Sequence, residues 1–270
     1  MLAIIGGTGL TNLANLDITR REVVRTPYGD PSGHLTFGEL STMSAAPSAA
    51  HTKAEVIFLA RHGYGHTIPP HEVNYRANIW ALQSLGVTRV LAVNSVGGVA
   101  ANLGPGEIGV PDQIIDYTSG RRHTFFEGDK PVTHIDFTFP YCNLARLLYL
   151  AAAKAVKINV VENGVLGVTQ GPRLETLAEV NRMERDGCTM VGMTSMPEAS
   201  LSRELGMSYA TLALSMNHAA GRGSSSQGIK LEDADEVLKV GMEKIRTILA
   251  KAVELHAAMP ADVRGLAAPR

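Results

Sequence analysis

The chain is short of several things, and each shortage narrows what it can be. It has two cysteines, Cys142 and Cys188, in 270 residues. That is too few for a disulfide framework, and their spacing fits neither a zinc ribbon nor a redox pair. Two reduced thiols in a core are expected. No stretch approaches the roughly 20 apolar residues of a membrane-spanning helix. The opening Met1-Leu2-Ala3-Ile4-Ile5 has no basic n-region and too short an apolar run for a signal sequence. No membrane association is expected, and the cytoplasm is the expected location. An excess of one charge is also lacking: 25 Lys and Arg stand against 26 Asp and Glu, a formal net charge of -1. Nonspecific binding to nucleic acid needs a basic surface that displaces counterions, and none is expected here.

Apolar residues, by contrast, make up 45% of the chain, enough for a sizeable core without disulfides or metal. Short apolar runs at 2–5, 55–60, 89–94, 164–169, 190–194 and 209–216 read as strands, and 108–115 reads as extended. Helical spacing predicts helices over 74–85, 143–157, 175–185 and 231–256. Gly86 is placed as a C-cap, and Pro197 for a first helical turn. Strands alternating with helices indicate an α/β fold. The strands lack a polar face, so the sheet should be parallel or mixed and covered on both sides. A single domain over 1–258 is expected, with a frayed tail over 259–270. Residues 41–52 read as a surface loop and 221–228 as a flexible one.

Six polar or glycine-rich clusters fall at predicted strand ends, where α/β proteins bind ligands. Gly6-Gly7-Thr8-Gly9 can turn tightly and point N–H groups at an anion. It is not the dinucleotide fingerprint, because Asn12 stands where the third glycine belongs. Arg61-His62-Gly63 offers a guanidinium fork suited to phosphate. Zinc on His62 and His66 is not expected, since Gly63 and Gly65 disfavour the helix that would present both. Asn94-Ser95-Val96-Gly97-Gly98 and Thr194-Ser195 place small residues and hydroxyls at strand ends, as ligand contacts or as tight connections and an N-cap. Glu175 lies near a helix start, where it could serve a ligand or the helix dipole. Asn217 offers both a donor and an acceptor, to a ligand or to a turn.

The ordered series IIGGTGL (4–10), ARHG (60–63), VNYRANIWAL (73–82), NSVGG (94–98), GPRLET (171–176), GMTSMPEA (192–199) and Asn217 resembles the purine nucleoside phosphorylase and methylthioadenosine phosphorylase family over nearly the whole chain. Within that family the pattern is most similar to the S-methyl-5'-thioinosine phosphorylase subgroup. The resemblance implies a mixed, partly barrel-like central sheet flanked by helices, and a homotrimer. It implies that Thr8, Arg61, His62, the Ser95 backbone and Thr194 hold phosphate. The Met193 backbone would meet the ribose, and His134 would reach the neighbouring subunit's site. The reaction implied is displacement of a purine from C1' by phosphate. Phosphate is a co-substrate, and no metal or organic cofactor is needed.

Two positions bear on the substrate. Adenine-specific members of the family have aspartates where this chain has Asn217 and Ala219. Glu175 can accept the N1–H of a 6-oxopurine, and Asn217 can donate to N7; both are expected to act on the leaving base. Beside them, Leu174 is expected to line the substrate site. Inosine-type members have a histidine at the position of Ala234. A methyl group there, with Leu238, suits a 5'-methylthio group better than a hydroxyl. The expected substrate is therefore S-methyl-5'-thioinosine, with a general inosine/guanosine phosphorylase, a methylthioadenosine phosphorylase and a non-catalytic nucleoside-binding protein as alternatives.

Overall fold

The run Leu2-Ala3-Ile4-Ile5 has no polar face, so as a strand it asks for cover on both sides. A computed structural model, which describes residues 1–11, 13, 16–40, 54–230, 232 and 234–265, puts it in the middle of a ten-stranded sheet. β1 (Leu2–Gly6) lies parallel between β4 (Ala54–Ala60) and β5 (Arg89–Gly98). Alternation divides their side chains between two cores. Leu2, Ile4, Val56, Phe58, Leu91 and Val93 pack with α2 (Asn143–Ala155) and α5 (Ala234–Ala258). Ala3, Ile5, Ile57, Leu59, Val90 and Ala92 pack with α1 (Tyr75–Ser84) and α4 (Ser195–Glu204). Each large aliphatic side chain so buried contributes about 1.5–3 kcal/mol. α3 (Leu177–Arg185) covers a smaller third cluster through Val180 and Met183.

Beyond its centre the sheet forks at β5. One edge of β5 pairs with β1 at its start and, antiparallel, with β9 (Met190–Gly192) at Gly97 and Gly98. The other edge pairs along its length with β10 (Ser208–His218). β10 continues to β6 (Ile108–Gly109), and β9 continues through β8 (Val165–Val168) to β7 (Gln113–Asp116). Residues 110–112 join β6 to β7, so the two arms meet through the chain while no ladder between them is formed among the described residues. This is the mixed, partly barrel-like sheet expected, without full closure.

Some elements differ from the reading of the sequence. β2 (Leu16–Glu22) and β3 (Leu35–Leu40) form an antiparallel extension outside β4 that the apolar runs did not reveal. β2 exposes Asp17 to Arg21 as an outer strand of charged residues, which blunts edge pairing and hides the strand from an apolar-run search. The extended stretch at 108–115 is broken into β6 and β7. β10 runs two residues further than expected and carries Asn217 within it, at a register shift between Ser215 and Asn217. Pro197 stands inside α4 at a kink, where Met196 and Pro197 leave helical geometry. Both cysteines are free thiols. In the tail, Ala261–Arg264 is a short helix, α6, whose Val263 carbonyl accepts from Arg89. Residues 41–53, Leu231 and 266–270, which include the expected surface loop and the expected start of the last helix, lie outside the described residues. Among those that are described, no helix is long and apolar enough to cross a membrane.

Candidate active site

The C-terminal ends of β1, β4, β5, β9 and β10 converge on a cleft of about 570 Å³. Thr8, Arg61, His62, Ser95, Thr194, Met193, Leu174, Glu175 and Asn217 all line it, although the sequence spreads them from position 8 to position 217. The glycine turn explains how the walls come so close. A Cβ on Gly6 would lie 2.1 Å from the Leu10 carbonyl oxygen, and one on Gly7 2.7 Å from that of Val93. Gly9 has φ +77, the left-handed region that glycine enters without a Cβ clash. The Leu10 N–H closes the turn on the Gly7 carbonyl at 3.0 Å.

Arg61 is fully buried and yet belongs to the cleft wall. Its Nε donates to Glu198 Oε2 and its Nη2 to Glu198 Oε1, both at 2.7 Å. Nη1 donates to the Val93 carbonyl at 2.9 Å. The fork that the sequence alone assigns to phosphate is therefore partly occupied by a carboxylate. Burial by itself would make Arg61 a weaker base, but Glu198 more than reverses this and keeps it charged.

His62 Nδ1 donates to the Ile68 carbonyl at 2.8 Å, which fixes the neutral tautomer with a lone pair on Nε2. Burial, and then the Arg61 charge, push its pKa down to about 4. His62 near neutrality is thus an acceptor at Nε2. His66 also lines the cleft, at a φ of 50 and with its ring 4.8 Å from that of His62. Among the described residues no cluster of three or more metal-binding side chains occurs.

The open choices of the sequence reading resolve locally. α3 is capped by Thr176, whose hydroxyl accepts from the Glu179 N–H while the Glu179 carboxylate reaches back to the Thr176 N–H. Glu175 is thereby free of the cap; its Oε1 accepts from Thr169 Oγ1 at 2.6 Å, within the cleft wall. Thr194 occupies the N-cap position of α4 but makes no capping bond. Its hydroxyl donates to Asn94 Oδ1 at 3.1 Å, and Asn94 Nδ2 donates to Ser195 Oγ at 2.5 Å. Buried Asn94 thus ties β5 to the start of α4. The Ser95 hydroxyl is buried with no hydrogen-bond partner. Asn217 Nδ2 donates to the His218 carbonyl at 2.7 Å, which leaves one amide N–H and Oδ1 uncommitted there.

The remaining expected residues stand apart from the cleft wall. Ala234 is half-buried at the start of α5. Leu238 lies behind the glycine turn: a Cβ on Gly9 would come within 2.6 Å of its Cδ1. The α5 start does approach the site through Val237, which lines a cavity of about 130 Å³ that shares Met216 and Asn217 with the cleft. His134 is exposed and does not line its own chain's cleft. Two residues that support the site escaped the sequence reading. Glu198 lay in a motif already noted but carried no role. Arg121 lay in no motif at all; it donates to the carbonyls of Thr169, Gln170, Met193 and Met196 and so ties the β8 and β9 walls together.

The cleft thus combines a guanidinium, a glycine turn and hydroxyls with one carboxylate, Glu175, and one amide, Asn217. The sequence matches the family described as the phosphorylase superfamily over residues 1–254. The chain belongs to that superfamily. A Pseudomonas syringae pv. tomato protein named "Probable S-methyl-5'-thioinosine phosphorylase" is 50% identical over 250 residues, covering 92% of this chain and 96% of that one. The "6-oxopurine nucleoside phosphorylase" of Pyrococcus furiosus is 40% identical over 260 residues, covering 94% and 92%. Among solved structures, methylthioadenosine phosphorylase from Schistosoma mansoni in complex with adenine aligns with a TM-score of 0.87 at 32% identity, covering 98% of this chain and 94% of that one. Fold and superfamily thus agree over nearly the whole chain, and the chain is an enzyme of that superfamily.

Proposed function

We propose that the cleft splits a 6-oxopurine nucleoside with phosphate, and that the substrate is S-methyl-5'-thioinosine, giving hypoxanthine and 5-methylthioribose 1-phosphate. The observation that carries the base assignment is Glu175: freed from capping by Thr176 and Glu179, it lines the cleft beside Asn217. A carboxylate accepts the N1–H that only a 6-oxopurine has. An amide donates to N7 as negative charge gathers on the leaving base. Against adenine, a buried partner left unpaired costs roughly 1–3 kcal/mol, or about tenfold to more than a hundredfold.

In the reaction a phosphate oxygen bonds to C1' while the C1'–N9 bond breaks and its electron pair moves into the purine. Thr8, Arg61, Ser95 and Thr194 are assigned to the phosphate, with Met193 and Leu174 beside the nucleoside. His62, an acceptor at Nε2, suits a protonated phosphate oxygen. The superfamily relatives named for S-methyl-5'-thioinosine support the same substrate here. Ala234 and Leu238, assigned to the 5'-methylthio end, stand outside the cleft wall, and Val237 is the α5 residue nearest the Asn217 side of the site. That keeps a second reading in play, a 5'-hydroxyl nucleoside, as in the relatives named 6-oxopurine nucleoside phosphorylase. The proposal also includes a homotrimer, in which His134 is contributed across the interface, a cytoplasmic location, and no metal or organic cofactor.

The test is kcat/KM for S-methyl-5'-thioinosine, methylthioadenosine and inosine, each with and without phosphate. Phosphate-dependent turnover that favours the first substrate is expected. Preference for methylthioadenosine would overturn the base assignment, and preference for inosine the 5' assignment. Asn217→Asp should raise the methylthioadenosine to methylthioinosine ratio; an untouched rate on the oxopurine would remove Asn217 from the base.

A further inference from the structure

Arg61 and Glu198 form the most enclosed ion pair among the described residues, with both side chains fully buried. Glu198 comes from the first turns of α4, the same segment that presents Thr194 to the cleft. Its carboxylate takes Nε and Nη2 of Arg61 side-on, and the Tyr209 hydroxyl donates to its Oε1 at 2.8 Å. Val93 holds Nη1 on a third side. A Cβ on Gly7 would come 3.1 Å from that Nη1, so the missing side chain at position 7 is what lets the guanidinium sit against the glycine turn. Three of the five N–H groups of a guanidinium are thus accounted for by protein, one each on Nε, Nη1 and Nη2. One on Nη1 and one on Nη2 remain without a partner among the described residues, on a group that forms part of the cleft wall.

We propose that Glu198 is the positioning residue of the phosphate pocket: it fixes the Arg61 guanidinium in a single orientation, so that the two remaining N–H groups meet the phosphate as a preset pair. The inference rests on the phosphorolysis reading of the cleft and adds a role for a residue that touches no substrate. A buried carboxylate has a second effect of opposite sign, because it cancels the charge of Arg61. A pure counterion would weaken phosphate binding, and neutralising it would strengthen binding. A positioning group does the reverse. The two roles therefore differ in the sign of one measurable effect.

The experiment replaces Glu198 with glutamine, which keeps the shape and removes the charge. KM for inorganic phosphate should rise about tenfold to a hundredfold, the worth of a hydrogen bond to a charged group. KM for hypoxanthine in the reverse reaction, and the Kd of the free base, should stay within about twofold, since neither involves Arg61. An unchanged or lower phosphate KM overturns the proposal. A buried arginine without its carboxylate is a strong destabiliser, so Glu198→Gln is paired with Tyr209→Phe. Tyr209 lines no part of the cleft, and its loss frees only Glu198 Oε1. A rise of about threefold or more in phosphate KM, with the hypoxanthine KM unmoved, is expected from a neutral hydrogen bond lost at one remove. A phosphate KM equal to that of the wild type in Tyr209→Phe would also overturn it. Wild-type turnover that persists without phosphate would instead sink the phosphorolysis reading itself, so the two failures are separable.

Discussion

Thr169 Oγ1 donates to Glu175 Oε1 at 2.6 Å, tying a carboxylate of the cleft to the residue that follows β8. One carboxylate oxygen is thereby occupied, and the side chain is held in one rotamer before any ligand arrives. Thr169→Val removes the donor and leaves the carboxylate free to turn. A charged hydrogen bond is worth about 1.5–3 kcal/mol, so kcat/KM on the 6-oxopurine nucleoside should fall about tenfold or more. Glu175→Gln should lower it further, because the acceptor for N1–H is itself altered. Steady-state kinetics on the two variants decide this, and wild-type rates in Thr169→Val would detach the orientation of Glu175 from its neighbour.

Arg121 donates to the carbonyls of Thr169 and Gln170 on one wall and of Met193 and Met196 on the other. These carbonyls lie on segments at least 23 residues apart in the chain, and Arg121 bonds to both. Arg121→Ala strips a buried cation from four acceptors. A loss of about 3 kcal/mol or more is expected, read as a lower denaturation midpoint with an unchanged slope. The KM for nucleoside should rise as the Met193 wall loosens. A stability loss with the nucleoside KM intact would confine Arg121 to the fold.

Arg89 Nη1 lies 2.8 Å from His256 Nδ1 in the buried base of the sheet. An arginine only donates, so His256 must present a lone pair there and be neutral. Burial, followed by the Arg89 charge, pushes its pKa from 6.5 to about 4. The folded state therefore binds fewer protons than the unfolded chain between these values. Stability should be fully present above about pH 6.5 and fall as the pH drops towards 4. His62, likewise lowered to about 4, contributes in the same direction. His256→Gln keeps an acceptor for Arg89 and removes one titration, so urea midpoints between pH 4 and 7 should fall less steeply than in the wild type. An identical slope would show that His256 is not a source of the acid sensitivity.

Much of the site was legible because each strand ends on its own signal. Buried runs such as 89–94 have no polar face, and the glycine, serine, threonine or asparagine that follows marks where the strand opens to a ligand. β2 was not legible for the opposite reason: an outer strand that exposes Ile18 and its arginines has no continuous apolar run to read. The α5 residues depend on which helix face meets the site: Ala234 and Leu238 follow from local similarity, while helical geometry brings Val237 to the Asn217 side and sets Leu238 against the glycine turn.

The sequence by itself determined the α/β order, the two-faced burial of the central strands and the list of polar residues at strand ends, because those depend on side-chain period and on residues close in the chain. Only the tertiary structure decided what each polar residue is bonded to. Arg61 and Glu198 are 137 positions apart, and no local rule pairs them. The fully buried Arg61 guanidinium is met by a carboxylate that the fold supplies from α4. Glu175 became available to the cleft in the same way, because the cap of α3 is completed by Thr176 and Glu179.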